Sequence, residues 1–207
     1  MASDGAVAAS VDVAFPLRGA SLPREHRCAL AESLRGLLPW LDEARPRAAL
    51  HRLNVTGGDA TRVLLSQRTR LVLRVPRARA DDAAAALAGQ RLDVAGHPLV
   101  LGAAQVRELL PWGTLYAHLV VTGDADELAF QRALEVELEA LGVRCRIICG
   151  RLQPGHGGGP AGYSVMLDGL SAADALRVQE AGLGRHREWG CGVFVPHKSA
   201  AAVGTPE

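Results

Sequence analysis

Near the end of the chain four glycines, Gly182, Gly184, Gly190 and Gly192, surround Arg185, His186 and Arg187, and the apolar run Val193-Phe194-Val195 follows. Glycine has no Cβ, so a loop this rich in it lets backbone N–H groups approach an anion. Arginine adds charge and a planar fork that matches phosphate oxygens. These residue types at this spacing describe a phosphate-binding loop, with Gly182, Gly184, Arg185, His186, Arg187 and Gly190 as its contacts. A second cationic run lies between Arg62 and Arg79, which holds six arginines and no acid. From Val63 to Val75, Val63, Leu65, Leu71, Leu73 and Val75 share one parity, while Arg62, Arg68, Arg70 and Arg74 share the other. That alternation predicts one strand with a core face and an arginine face. Arg68, Arg70 and Arg74, joined by Arg18 beside the first strand, are the expected phosphate contacts.

The elements that position these groups punctuate the chain regularly. The patterns predict a strand over Val11–Leu17, a helix over Pro23–Leu41, strands over Leu50–Val55 and Val63–Val75, a helix over Asp81–Ala88, and a strand or hairpin over Leu92–Leu101. The order β-α-β-β-α-β is the ferredoxin-like pattern. It recurs as a strand over Leu115–Thr122, a helix over Glu127–Leu141, strands over Val143–Cys149 and Tyr163–Leu167, a helix that Ser171 caps and Glu180 ends, and a strand over Gly190–Pro196. The expected fold class is therefore α+β, as two tandem ferredoxin-like (RRM-like) domains at 11–104 and 113–198. A linker falls near Gln105–Trp112, with a loose arm at 1–10 and a loose tail at 199–207.

Bulk properties narrow the function. The 207 residues suffice for two small cores, and 48 % are hydrophobic. No apolar run has transmembrane length and no charged-then-apolar leader is visible, which points to a cytoplasmic protein without a membrane partner. Four cysteines then read as reduced thiols. Cys145 and Cys149 lie at i,i+4 on a predicted strand, which is not the spacing of a zinc knuckle, so no metal site is assigned. The net charge of +1 conceals a two-signed surface, because Asp124–Glu139 carries six acids and one arginine. The RRM stacks bases on sheet aromatics, but aromatic residues are only 4 % here. RNA contact is accordingly expected to run mostly from arginine to phosphate.

Four motifs carry a family resemblance: Val11-Asp-Val-Ala-Phe-Pro-Leu-Arg-Gly19, Leu22-Pro-Arg-Glu-His-Arg27, Leu65-Ser-Gln-Arg-Thr-Arg-Leu-Val-Leu-Arg-Val-Pro76, and the glycine-rich stretch from Gly182 to Pro196. With them the chain resembles the Cas-six family of CRISPR repeat-RNA endoribonucleases in the RAMP superfamily, closest to the Myxan-type branch. The resemblance implies cleavage of precursor RNA (pre-crRNA) within each CRISPR repeat to release crRNA, without metal or other cofactor. It implies attack of a ribose 2′-hydroxyl on its own phosphate, leaving a 2′,3′-cyclic phosphate. It also implies association with other Cas proteins of an effector complex. The hairpin tip Gly155–Pro160 departs from the basic hairpin expected of relatives, since the tip itself is neutral.

Such a reaction needs a base, an acid and cations, and histidine suits both proton roles near neutral pH. His26 opens the first predicted helix, where the resemblance places a catalytic histidine and where the helix dipole favours a neutral ring. His51 begins the strand after that helix and is the second candidate; the two would divide base and acid roles. Two other readings are consistent with the same residues: a catalytically silent RNA-binding subunit of the same fold, and a small-ligand regulatory domain.

Overall fold

Alternation along the first strand sets the architecture. Val11, Val13, Phe15 and Leu17 are at most 2 % exposed and enter one core, while Asp12, Ala14 and Pro16 take the opposite face. The computed structural model describes residues 8–43, 48–123, 126–153 and 159–198. The first half contains β1 (Ser10–Arg18), β2 (Ser21–Pro23), α1 (Arg27–Arg35), β3 (Ala49–Leu50), β4 (Thr56–Gly58), β5 (Arg62–Leu64), β6 (Arg70–Pro76), α2 (Ala80–Leu87), β7 (Arg91–Val94), β8 (His97–Leu101) and β9 (Gln105–Glu108). The second contains β10 (Thr114–Val120), α3 (Glu127–Ala140), β11 (Arg146–Gln153), β12 (Gly162–Asp168), α4 (Ala172–Ala181) and β13 (Val195–Pro196).

The first sheet runs β3-β6-β1-β8-β7, and β9 also pairs with β1; the second runs β11-β12-β10-β13. Counting only the four strands of each β-α-β-β-α-β unit, both sheets have the lateral order second, third, first, fourth. That is the ferredoxin-like arrangement made twice. One core draws on residues from Val11 to Leu101 and the other on residues from Leu115 to Phe194. A small third sheet, β2-β5-β4, lies beside the first. Among the described residues no helix is long and apolar enough to cross a membrane.

Helix signals behave as local chemistry demands. Phe130, Leu134 and Leu138 recur every four residues and bury one face of α3. Asp126 caps that helix by accepting from the Ala129 N–H at 2.9 Å. Ser171 caps α4 by accepting from the Asp174 N–H at 3.1 Å, and its hydroxyl donates back to the Asp174 carboxylate at 2.7 Å.

Several predicted elements are cut shorter. The first helix starts at Arg27 because Ser21–Pro23 is committed to pairing with β5, and it ends at Gly36. Pro39 opens a separate 3-10 turn. Only Ala49–Leu50 of the next segment is a strand, and of the predicted Gly190–Pro196 strand only Val195–Pro196 pairs. The predicted Val63–Val75 strand is two strands in different sheets. Ser66 and Thr69 break it: the Ser66 N–H donates to the Thr69 hydroxyl at 3.0 Å and the Arg68 N–H to the Ser66 hydroxyl at 3.2 Å. The predicted linker begins as β9, paired with Val11–Ala14 of β1. Ala8 and Ser10, read as part of a loose arm, are buried. Residues 1–7 and 199–207 lie outside the described residues, as does 154–158 with most of the neutral hairpin tip.

The two units meet through polar contacts from the open face of the first sheet. Asp12 and Arg74 face each other across β1 and β6. Arg74 is 1 % exposed; its Nε donates to Asp12 Oδ1 at 2.8 Å and its Nη2 to Asp12 Oδ2 at 3.1 Å. Its Nη1 donates to the carbonyls of Gln179 at 3.0 Å and Phe194 at 2.8 Å, both in the second unit. Burial alone would raise the Asp12 carboxyl, but hydrogen bonds and charge from His51 and Arg74 outweigh it and hold the group well below the usual carboxylate range. A carboxyl depressed on folding contributes stability above its unfolded value and loses it as pH falls. Urea unfolding near neutral pH is expected to show Asp12→Ala destabilised by about 3–5 kcal/mol, because it strands a buried guanidinium. That gap should narrow as pH drops below about 4.

Candidate active site

A cavity of about 130 Å³ opens where the two units meet. Its walls include Arg24, His26 and Arg27 from the start of α1, His51 and Arg52 just after β3, and Trp189 from the glycine-rich loop. His26 and His51, 25 positions apart in sequence, are thus brought to one space. Arg18, Arg68 and Arg70 do not line it.

His26 is the residue before α1. Its Nδ1 lies 2.8 Å from the Pro23 carbonyl, which only accepts, so this nitrogen carries the proton. The neutral ring therefore keeps its lone pair on Nε2. Burial lowers the His26 pKa, with Arg27 adding to the effect against the opposing pull of the Pro23 carbonyl. A neutral imidazole with a fixed tautomer at a helix start is suited to accept a proton.

His51 is held differently. Its Nε2 lies 3.2 Å from Asp12 Oδ1, the oxygen that also receives Arg74 Nε. Burial depresses its pKa, and the cations Arg74 and Arg187 reinforce this against the Asp12 carboxylate. Asp12 orients the ring through Nε2. This is the geometry of an imidazole steered by a carboxylate.

Sequence reasoning missed the cations that belong to the cavity. Arg27 is half-buried, and its Nη1 lies 4.0 Å from Cys191 Sγ. Arg52 is exposed at the rim, and its pKa is lowered by burial of its inner portion and by Arg27 nearby. His118 of β10 joins them from the second unit: burial first, then Arg52 and Arg27, push its pKa down to about 4. Two like-charged guanidiniums beside a neutral imidazole make a site that favours an anion. A signal was present, for each cavity histidine is followed at once by arginine, as His26-Arg27 and His51-Arg52.

The four glycines of the loop do not offer free N–H groups to an anion. All four glycine N–H groups are engaged within the protein. Gly182 donates to the Val178 carbonyl, Gly190 to Arg187 and Gly192 to Leu119, at 2.8, 3.0 and 2.7 Å. Gly184 donates to the Glu137 carboxylate at 2.7 Å. The glycines serve close packing instead: a Cβ on Gly192 would stand 1.9 Å from the Leu183 carbonyl, and one on Gly190 would meet the Leu50 carbonyl at 3.1 Å. Gly182, Gly184 and Gly190 are therefore corrected from phosphate contacts to packing positions.

The loop's side chains divide as well. Arg187 is buried at 3 % exposure and lies against Gly182, so it is corrected from a surface phosphate contact. His186 stacks on Trp189 with centroids 4.3 Å apart and planes 5° from parallel, and Arg185 alone of the three is exposed. Arg74 is corrected for the reason given above, since its guanidinium is consumed between Asp12 and two carbonyls. Arg70 Nη1 is bound to the Gln67 and Thr69 carbonyls at 2.8 and 3.0 Å, while Arg18 and Arg68 are exposed. The predicted continuous arginine face is absent because Arg68 sits in the Ser66–Thr69 turn.

The family model described as Cas6 Crispr matches residues 11–199. The chain belongs to the Cas6 family. It is 38 % identical over 197 residues to the CRISPR-associated endonuclease Cas6 of Myxococcus xanthus strain DK1622, a match spanning 93 % of this chain and 84 % of that one. Among solved structures, a CRISPR associated protein Cas6 shares the fold with a TM-score of 0.70 at 10 % identity, covering 91 % of this chain and 100 % of that one. A RAMP protein binding different RNA substrates reaches 0.61 at 14 % identity, covering 89 % and 98 %. Cas6 membership and the doubled ferredoxin-like fold thus agree with the motifs that carried the resemblance.

Proton NMR titration is expected to place the His118 midpoint near 4 and that of His26 below the ordinary histidine value of about 6.5. Arg52→Ala should move the His118 midpoint upward; an unchanged midpoint would remove the cation from its surroundings.

Proposed function

We propose that this chain is a metal-independent endoribonuclease that cuts CRISPR repeat RNA to make crRNA. The observation that carries the reading is His26, with Nδ1 tied to the Pro23 carbonyl at 2.8 Å and its ring in one cavity with Arg27, Arg52 and His51. In the proposed reaction Nε2 of His26 takes the proton of a ribose 2′-hydroxyl. The oxygen attacks the adjacent phosphorus, and the bond to the leaving 5′-oxygen breaks. Arg27 and Arg52 meet the charge on the non-bridging oxygens. The products are a 2′,3′-cyclic phosphate and a 5′-hydroxyl.

His51 is the proposed acid. In the free protein it is neutral, and the negative charge of an arriving phosphodiester favours its protonation. Asp12 then stabilises the imidazolium through Nε2, and Nδ1–H faces the leaving oxygen. Exposed Arg18, Arg68 and Arg185 are proposed as outlying phosphate contacts, and other Cas proteins as partners that retain the product. Affinity carried by phosphate contacts falls steeply as salt rises.

Cognate repeat RNA incubated with the protein in excess EDTA is expected to be cut fully, and intact RNA would refute the metal-independent reading. His26→Ala should slow single-turnover cleavage by about 10²–10⁴-fold with RNA binding retained. The wild-type rate should fall as pH drops below neutral, with an apparent midpoint below the ordinary histidine value, because the lowered pKa keeps the base neutral longer. A 2′-deoxy nucleotide at the cut should bind and remain whole. A silent RNA-binding subunit would treat the deoxy and ribose RNAs alike.

A further inference from the structure

The second sheet has an open face that the cavity does not account for. Leu115, Ala117, Val165 and Leu167 turn toward the core beneath α3 and α4. On the opposite face Ile148, Met166 and Tyr116 form one cross-strand row, since Ile148 pairs with Met166 and Met166 with Tyr116. Ile148 is 37 % exposed, and Met166 and Tyr116 are half-buried. The His197 ring flanks Tyr116, with centroids 5.4 Å apart. Beside this row stand His118 and Ser164. The Ser164 hydroxyl lies over Gly150, where a Cβ would come within 2.2 Å of it. Asp168 at the other side is already engaged, by Arg146 at 2.6 Å and Thr114 at 2.7 Å.

The face lies next to the cavity through the glycine-rich loop: a Cβ on Gly190 would stand 3.6 Å from the Arg52 backbone nitrogen, and Gly192 donates at 2.7 Å to the carbonyl of Leu119, the neighbour of His118. His118 feels both Arg27 and Arg52, and Arg52 feels the Tyr116 hydroxyl. An RNA strand with its phosphates at Arg27 and Arg52 would have this row beside it. We propose that Tyr116, supported by Met166 and Ile148, is a stacking platform for one unpaired base of the RNA flanking the cut. A single aromatic ring on a central strand, apolar neighbours beneath the base plane, and hydroxyl and imidazole groups at its edge suit a splayed base better than a paired one. The inference rests on reading the cavity as an RNA-cutting site. It places recognition of the flank on the second unit and the proton transfers on the first.

The experiment uses the full chain and repeat RNA made uncleavable by a 2′-deoxy nucleotide at the cut. 2-Aminopurine is placed at each unpaired flanking position in turn. One position should be quenched on binding to wild type and to Tyr116→Phe, and not on binding to Tyr116→Ala. Tyr116→Ala should bind the RNA about 5- to 100-fold more weakly. Ile148→Asp, at an exposed edge-strand position that leaves the core intact, should weaken binding in the same direction, and a thermal melt confirms that it folds. If wild type cuts the ribose RNA while Tyr116→Ala and Ile148→Asp match it in quenching and affinity, the platform alone is overturned. If wild type neither binds nor cuts, the cavity reading fails and the platform with it.

Discussion

One carboxylate organises this molecule. Asp12 stands on the central strand of the first sheet and receives two groups at once, the Arg74 guanidinium and the His51 ring. Arg74 reaches onward to two carbonyls of the second unit. The same half-buried anion therefore orients a cavity imidazole and compensates the cation that joins the two sheets. A buried charge without such a partner is costly, and removing either member leaves the other uncompensated. Alignment of the units and orientation of His51 are consequently a single structural event.

The division of labour around the cavity follows from this. The first unit brings His26, Arg27, His51 and Arg52, and the second brings Trp189 on the loop that fills the space behind them. That loop is held by bonds within itself and by bonds to Leu119, Val121, Glu137 and Val178 of the second unit. It forms a wall of the cavity through Trp189, and the cations that line the cavity come from the first unit. Electrostatic catalysis depends on donors and cations held before the substrate arrives, and a wall whose four glycine N–H groups are all engaged helps to hold them.

Much of this was legible in the residues. Alternation in β1, four-residue spacing in α3, and the Ser171 cap identified elements whose physics is local. The doubled β-α-β-β-α-β order followed from them, while His26 and His51 were singled out by the proton transfers the reaction needs and, for His26, by the family resemblance. What failed depended on tertiary context. Parity of apolar residues is identical on the two sides of the Ser66–Thr69 turn, so β5 and β6 read as one strand. A glycine that admits an anion and a glycine that admits a neighbouring carbonyl have the same sequence signature, and only the partner distinguishes Gly192 from a phosphate cradle. Arg74 and Arg68 look equivalent in the sequence, yet one is buried opposite Asp12 and the other lies on a turn. Arg27 and Arg52 were overlooked because only the fold brings the two His-Arg pairs to one cavity.

The bonds from Arg74 to the Gln179 and Phe194 carbonyls have a consequence for how the molecule comes apart. A guanidinium rooted in one sheet and terminating on main-chain oxygens of the other couples the halves energetically. Separating them would bare that cation, empty the wall behind His51 and dismantle the cavity in the same step. The two units are thus expected to lose structure as one cooperative body, with chemical competence vanishing at the moment their seam opens.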